Sequence, residues 1–411
     1  MGLRAPWPGF LLSGWLLFSM GGCQSHAHPP KGALAPSSLS MVAVGDILMH
    51  QDVKAVAAKD PEGFQALWRD VSPLFQEADL AFGNLKSPVA PSTGRPGVPF
   101  QFNAPETLPA ALRACGFTVL STANNHAFDQ GPKGVRETLE RLKQGQLLAI
   151  GSGVDRSEAE ALSILERQGI KVAFLAFTDL FNVDLNRRAT EPWVRTLDLE
   201  PALRAVREAR SRADLVVVSL HWGNEYQHQP TNRQRTIARA LVEAGCDVLL
   251  GHHPHVLQPL ELLEVAGRKA LVAYSLGNFI SNQDRMYRAD LFPVAGGDNR
   301  DGVALKLRFE RRAGDFATVA LQQVEVEPLW TENSAATGAS PRAIRVIRVK
   351  AAENQVRCEL DQLTDPKARS GDAVAEGQRR RMILEKQEYL RTLILRRQRI
   401  SDMVGERFLA R

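Results

Sequence analysis

Short apolar runs that end on Asp, Asn or His recur along this chain, and helix-like patterns separate them. Ser40-Met41-Val42-Ala43-Val44 is followed by Gly45-Asp46, and the run that starts at Asp79 closes on Gly83-Asn84. Residues 116–122 deliver Asn124-Asn125-His126, with Asp129 close behind. Residues 214–220 deliver His221 and then Glu225, Val248-Leu249-Leu250 leads to Gly251-His252-His253-Pro254-His255, and residues 271–276 lead to Asn278. Runs of this length and composition read as buried strands. Between them, helical spacing predicts helices over 65–75, 105–115, 134–143, 199–210 and 233–244, with another beginning at Glu158, and Ile170–Phe177 reads as a strand. Strands that alternate with helices point to parallel sheets, whereas 303–309 and 318–326 alternate more strictly and read as antiparallel closing strands.

Polar side chains at the carboxyl ends of parallel strands are where open α/β sheets place ligands. Each has an ordinary reading as a turn or cap. Together they would converge on one sheet edge, and an oxygen- and nitrogen-rich convergence suits a divalent transition metal such as Mn, Fe or Zn. Three of the nine histidines fall within residues 251–255. Crowded imidazoles are costly as cations and useful as neutral ligands. Gly251 is expected to let the backbone turn there, and Pro254 to stiffen the exit. His50 lies one turn beyond Asp46 and could share its side. Residues 87–99 are rich in Pro, Gly and Ser and read as a lid or rim.

With 411 residues and 44% hydrophobic content the chain can build a sizeable core, and global disorder is excluded. The net charge of +5 is weighted toward the C-terminus, so it says little about the strand-end cluster. Arg4 followed by the apolar stretch Phe10–Met20 has the form of a signal segment, too short for a confident membrane span. Met20-Gly21-Gly22-Cys23 resembles a bacterial lipobox, although Met20 stands where Leu is usual. The resemblance implies a signal peptide over 1–22, lipidation of Cys23 and a membrane-anchored chain outside the cytoplasm; a plainly secreted protein or an uncleaved anchor are the alternatives. Residues 23–39 read as a tether. Cys115, Cys246 and Cys358 have no CxxC spacing, which excludes a zinc ribbon. Small buried thiols are the plainer reading, and a Cys115–Cys246 disulfide is the oxidising-compartment alternative.

Gly45-Asp46, the 123–131 segment Ala-Asn-Asn-His-Ala-Phe-Asp-Gln-Gly, His221-Trp-Gly-Asn-Glu225-Tyr226, Gly251-His-His-Pro-His255-Val-Leu-Gln258 and Ser275-Leu-Gly-Asn278-Phe279 together resemble the CapA, or PgsA-type, family of poly-γ-glutamate capsule-biosynthesis proteins. The resemblance covers about residues 40–328. It implies a calcineurin-like metallophosphoesterase fold, a four-layer αββα sandwich with metal between strand-end loops. It also implies a role in making, exporting or anchoring an anionic capsule polymer, with a synthase or export complex as partner. Carried over, it makes Asp46, Asn84, Asn125, His221, His253 and His255 the metal ligands. His126 becomes the catalytic imidazole, with Asp46 and Glu225 in the catalytic group. Lys86, Asn124, His252 and Asn278 become substrate contacts.

Lys86 departs from the family, which usually has Glu at that place, and protonated Lys cannot ligate a cation. Either its ammonium replaces one metal charge, leaving a mononuclear or metal-free site that binds an anionic polymer, or its long stem carries it to solvent and nothing is lost. Ile47-Leu48 also replace the Asp-x-His form of ordinary calcineurin-like enzymes. Residues 329–376 read as a linker and irregular region, and 377–411 as a basic amphipathic helix, either lying on anionic lipid or docked on the domain with a solvated basic face. No RNA- or DNA-binding motif is present, which argues against nucleic acid as a partner. Three functions stay open: a surface-tethered metal-dependent hydrolase, a non-catalytic accessory protein that binds a polyanion, and a fold whose site is vestigial.

Overall fold

A computed structural model describes residues 37–94, 100–186, 188–291, 296–311, 318–337, 343–368 and 372–409. The signal segment, Cys23, the tether as far as residue 36 and part of the expected rim lie outside the described residues. The chain opens with β1 (Ser37–Ile47), α1 (Gln51–Ala57), α2 (Gln65–Trp68), α3 (Ser72–Gln76) and β2 (Leu80–Leu85). Then come α4 (Leu108–Cys115), β3 (Val119–Ser121), α5 (Gly131–Gln144), β4 (Leu148–Ile150), β5 (Ser152–Gly153) and α6 (Arg156–Glu160). The middle holds β6 (Ser163–Arg167), β7 (Ile170–Thr178), β8 (Trp193–Val194), α7 (Leu199–Arg212), β9 (Leu215–His221), α8 (Asn232–Ala244) and β10 (Val248–His252). It closes with β11 (Leu260–Val265), β12 (Arg268–Ala273), β13 (Asn278–Ile280), β14 (Asp301–Arg311), β15 (Val319–Asn333), β16 (Ile344–Arg348), α9 (Val349–Thr364) and α10 (Ala373–Val404).

Two sheets carry the architecture. One runs β16-β15-β14-β1-β2-β3-β4, with β13 paired to the end of β1, and the other runs β11-β12-β10-β9-β7-β6. Their central strands bury both faces, which is why those apolar runs are continuous. Along β1, Leu39, Met41 and Ala43 enter the core between the sheets, while Val42, Val44 and Ile47 pack outward against α1–α4. Along β9, Leu215 and Val217 point inward while Val216, Val218 and Leu220 meet α7 and α8. The period of two along a strand sorts alternate residues into different layers. The result is the four-layer αββα sandwich implied by the motifs, and β14 and β15 are the antiparallel closing strands expected.

Several expectations change. Cys115 and Cys246 are free and buried in opposite outer layers, one at the end of α4 and one just after α8, so they cannot bridge. The segment read as irregular contains β16 and α9. The 65–75 helix is two short helices. The hairpin edges β6 and β11 escaped the pattern because half-exposed edge strands lose the apolar run. The C-terminal helix α10 is docked, with Leu393, Ile400 and Val404 in the inter-sheet core. Much of its basic charge meets internal acids: Arg379 pairs with Glu376, Lys386 with Glu359, Arg396 and Arg399 with Asp298, and Arg397 with Glu353. Among the described residues no helix is long and apolar enough to cross a membrane.

Candidate functional site

Strand register assembles the site. Asp46 lies beside Asn84 of β2 and beside Asn278 of β13, and His252 lies beside His221 across β10 and β9. The two sheets thus bring their strand ends together. Gly45 and Gly251 allow this approach: a Cβ on Gly45 would stand 2.0 Å from the Gly277 carbonyl oxygen, and one on Gly251 would stand 1.9 Å from that of Tyr274. Gly251 therefore serves close packing and not the expected turn. The turn falls on His253 (φ 100°) and His255 (φ 60°), both in the left-handed region that non-glycine residues rarely adopt.

The inner half of the site is closed. Lys86 is fully buried, and its Nζ sits 3.3 Å from Asp46 Oδ2 and 2.9 Å from His255 Nε2. Asn84 donates to Asp46 Oδ1 at 2.7 Å. His255 Nδ1 donates to Asn278 Oδ1 at 2.9 Å, which leaves Nε2 free to accept from the ammonium. Burial pushes the Asp46 carboxyl up, but Lys86, His255, His252 and Asn84 outweigh it and hold the group at about 2. Burial pulls Lys86 down, against Asp46. Desolvation, reinforced by Lys86, depresses His255 to about 3; burial with Lys86, opposed by Asp46, leaves His252 at about 4. Both rings are neutral at physiological pH.

The outer half is also buried, with His126 and His253 each 7% exposed. His221 Nε2 donates to Asn125 Oδ1 at 2.9 Å, and the His253 ring packs edge-on to His221 with centroids 4.9 Å apart. Burial, then Lys86, holds His253 at about 3 and His221 well below its ordinary value. His126 Nδ1 pairs with Asp129 Oδ2 at 2.8 Å, and the same oxygen accepts the Phe102 backbone N–H at 2.6 Å. The His126 ring stands edge-on to Phe102. Glu225 is at the rim, 43% exposed, 3.9 Å from His255 Nε2 and beyond hydrogen-bond reach.

The expected substrate contacts are all buried. Lys86, Asn124, His252 and Asn278 are closed to solvent. Asn124 donates to the Leu85 carbonyl and accepts from the His126 backbone, pinning the loop. His252 packs against Phe82, and neither ring nitrogen has a hydrogen-bond partner. His50 accepts from the Asn282 backbone and stands edge-on to Phe102, which separates it from His126. One residue had escaped notice: Asn182 accepts from Asn125 Nδ2 at 2.9 Å and reaches the His126 ring. It too follows a parallel strand, β7, at the same four-residue distance that separates Asn125 from β3.

The implied divalent cation meets two different environments. Beside Asp46 and His255 it does not fit, because the Lys86 ammonium is already there. Asn125, His221 and His253 offer one amide oxygen and two neutral imidazoles: Nδ1 of His253 has no hydrogen-bond partner, and Nε2 of His221 would have to give up the proton it shares with Asn125 Oδ1. Among the described residues, no three His, Cys, Asp or Glu side chains form a group suited to a metal, as expected where one donor is an amide.

Residues 40–283, more than half of the chain, match the family model described as bacterial capsule synthesis protein PGA_cap. The chain belongs to this family. Within this capsule synthesis family it is 34% identical over 253 residues to "Capsule biosynthesis protein CapA" of Bacillus anthracis, covering 60% of each chain. It is 35% identical over 248 residues to "PGA biosynthesis protein CapA" of Bacillus subtilis (strain 168), covering 60% of this chain and 64% of that one. The chain thus spans under two thirds of the length of these curated relatives. A 5'-nucleotidase precursor from Thermus thermophilus aligns with 71% of this chain and 54% of its own at TM-score 0.41 and 12% identity, a likeness that says nothing of substrate.

Proposed function

We propose that this protein acts in the biosynthesis, export or anchoring of an anionic capsule-type polymer at the cell envelope, tethered there by lipid on Cys23. A polymer synthase or export complex is its partner in this reading. Its cleft is a hydrolase-like site in which Lys86 takes the place of one cation and at most one divalent ion is held. The observation that carries this is the His126–Asp129 pair, next to Asn125, His221 and His253.

Asp129 accepts the Nδ1 proton of His126 and fixes the ring, so Nε2 is the nitrogen that takes or gives a proton. Asn182 accepts from Asn125 Nδ2 and so holds that side chain beside His126. Phe102 covers one edge of the imidazole and limits water. A cation of the Mn, Fe or Zn type, held by Asn125, His221 and His253, would polarise the scissile bond when bound. The accessory reading, in which Lys86 itself grips the polymer, is weaker: its ammonium is sealed from solvent and Asp46 offsets its charge.

Elemental analysis of the soluble chain purified without chelator tests the cation. The expected result is no more than one equivalent of Mn, Fe or Zn per chain, lost in His253→Ala; two equivalents overturn the reading. Incubation with poly-γ-glutamate of defined length tests the chemistry. Wild type should shorten the polymer and His126→Ala should not; intact polymer under metal-replete conditions rejects the hydrolase reading.

A further inference from the structure

The matched family region ends at residue 283, yet the hydrogen bonds that set His255 continue past it. Asn278 presents Oδ1 to His255 because its Nδ2 is committed elsewhere, to Gln283 Oε1 and to the Asn299 carbonyl, each at 2.8 Å. Asn299 lies in a tight turn, Asp298–Arg300, and α10 grips that turn. Arg396, only 1% exposed, pairs with Asp298 at 2.8 Å and Asp301 at 3.2 Å, and donates to the Gly296 carbonyl at 3.1 Å. Arg399 takes the other Asp298 oxygen at 2.7 Å, which His228 Nε2 also meets at 3.0 Å. Asp284 caps the turn from inside, accepting from Gly297 and Asn299 backbone N–H groups.

We propose that α10 is a working part of the site: Arg396 and Arg399 are positioning residues that hold the 296–301 turn, and the turn fixes Asn278 and thereby the tautomer of His255. If the turn relaxes, Asn278 Nδ2 loses the Asn299 carbonyl and keeps Gln283 Oε1 with longer contacts to Ser281 and the His255 carbonyl, so the amide is held less firmly and a flipped fraction presents Nδ2 to His255 Nδ1. His255 must then carry its proton on Nε2, which points at the Lys86 ammonium, and two donors face each other. The clamp therefore protects the Lys86–His255 hydrogen bond from a distance. This use of the basic residues also opposes a lipid-bound α10, since Arg396 and Arg399 would have to leave buried acids.

The test uses the full soluble chain labelled with 15N-histidine. The His255 ring signals are assigned by their loss in His255→Gln. Wild type should show one protonated and one unprotonated ring nitrogen, well separated. Arg399→Gln and Arg396→Lys should move the two signals toward a common average, with the native circular dichroism spectrum retained. Arg396→Lys keeps the charge but loses the forked donor, so its change should be the smaller. Lys386→Ala breaks the Lys386–Glu359 pair on the same helix, far from the turn, and should leave His255 unchanged. Unchanged His255 signals in folded Arg399→Gln overturn the proposal, and so does an equal change in Lys386→Ala. Should Arg396→Lys fail to fold, Arg399→Gln decides alone.

Discussion

The two halves of the site are built from similar residues and behave differently. Around Asp46, Lys86, His252 and His255 the ionic charge is matched internally and the side chains are buried. Around Asn125, His126, His221 and His253 the ligand set is uncharged, and the Asp129 carboxylate stands behind His126. The difference teaches that a buried ammonium can occupy the place a cation would otherwise take, leaving the chemistry to the neighbouring half. Removing one partner of a buried pair costs far more than removing both, because the survivor is left charged in a poor solvent.

The sharpest way to break the contrast is Lys86→Ala. It leaves the Asp46 carboxylate buried without its countercharge, and urea denaturation should report a loss of about 3–5 kcal/mol. Lys86→Met with Asp46→Asn removes both charges and should recover most of that loss. A smaller effect comes with pH. Asp46 is depressed to about 2 from an ordinary 3.8, so its contribution is complete above the unfolded value and is lost as pH falls through about 2. That amounts to about 2 kcal/mol.

The neutral histidines act at higher pH in the same direction. The folded pKa of His252 is about 4 against 6.5, so stability is complete above 6.5 and declines as pH falls toward 4. His252→Leu removes this titration and two unpartnered nitrogens. Between about pH 6 and pH 4 its stability curve should be flatter than wild type by about 1.4 kcal/mol per pH unit; an unchanged slope would mean that His252 is not buried neutral. The smallest expected stability change belongs to the outer half. His126→Ala should cost about 1 kcal/mol, the net worth of its hydrogen bonds, while abolishing polymer shortening.

Much of the fold was legible because β1, β9 and β10 are buried on both faces and therefore apolar throughout. The site was legible in outline, since Asp46, Asn84, His221 and the 252–255 histidines lie at strand ends and Asn125 follows in the loop after β3. Asn182 was not, although it stands as far past β7 as Asn125 stands past β3. The role of Gly251 was misread, because close approach of a neighbouring carbonyl leaves no local trace. The C-terminal basic residues looked like a surface stripe because Asp298, Asp301 and Glu353, which bind them, are distant in sequence.

The sequence by itself determined the order of strands and the polar residue that each one presents at its end. A strand writes its burial into a local pattern, with neighbours two apart sharing a layer. Only the tertiary structure decided which of those polar residues meet one another. Whether Lys86 runs outward or inward depends on Asp46 and His255, both distant in sequence, being brought together by the pairing of β1 with β2 and the closure of one sheet on the other. Long-range register sets that choice, and no local pattern encodes it.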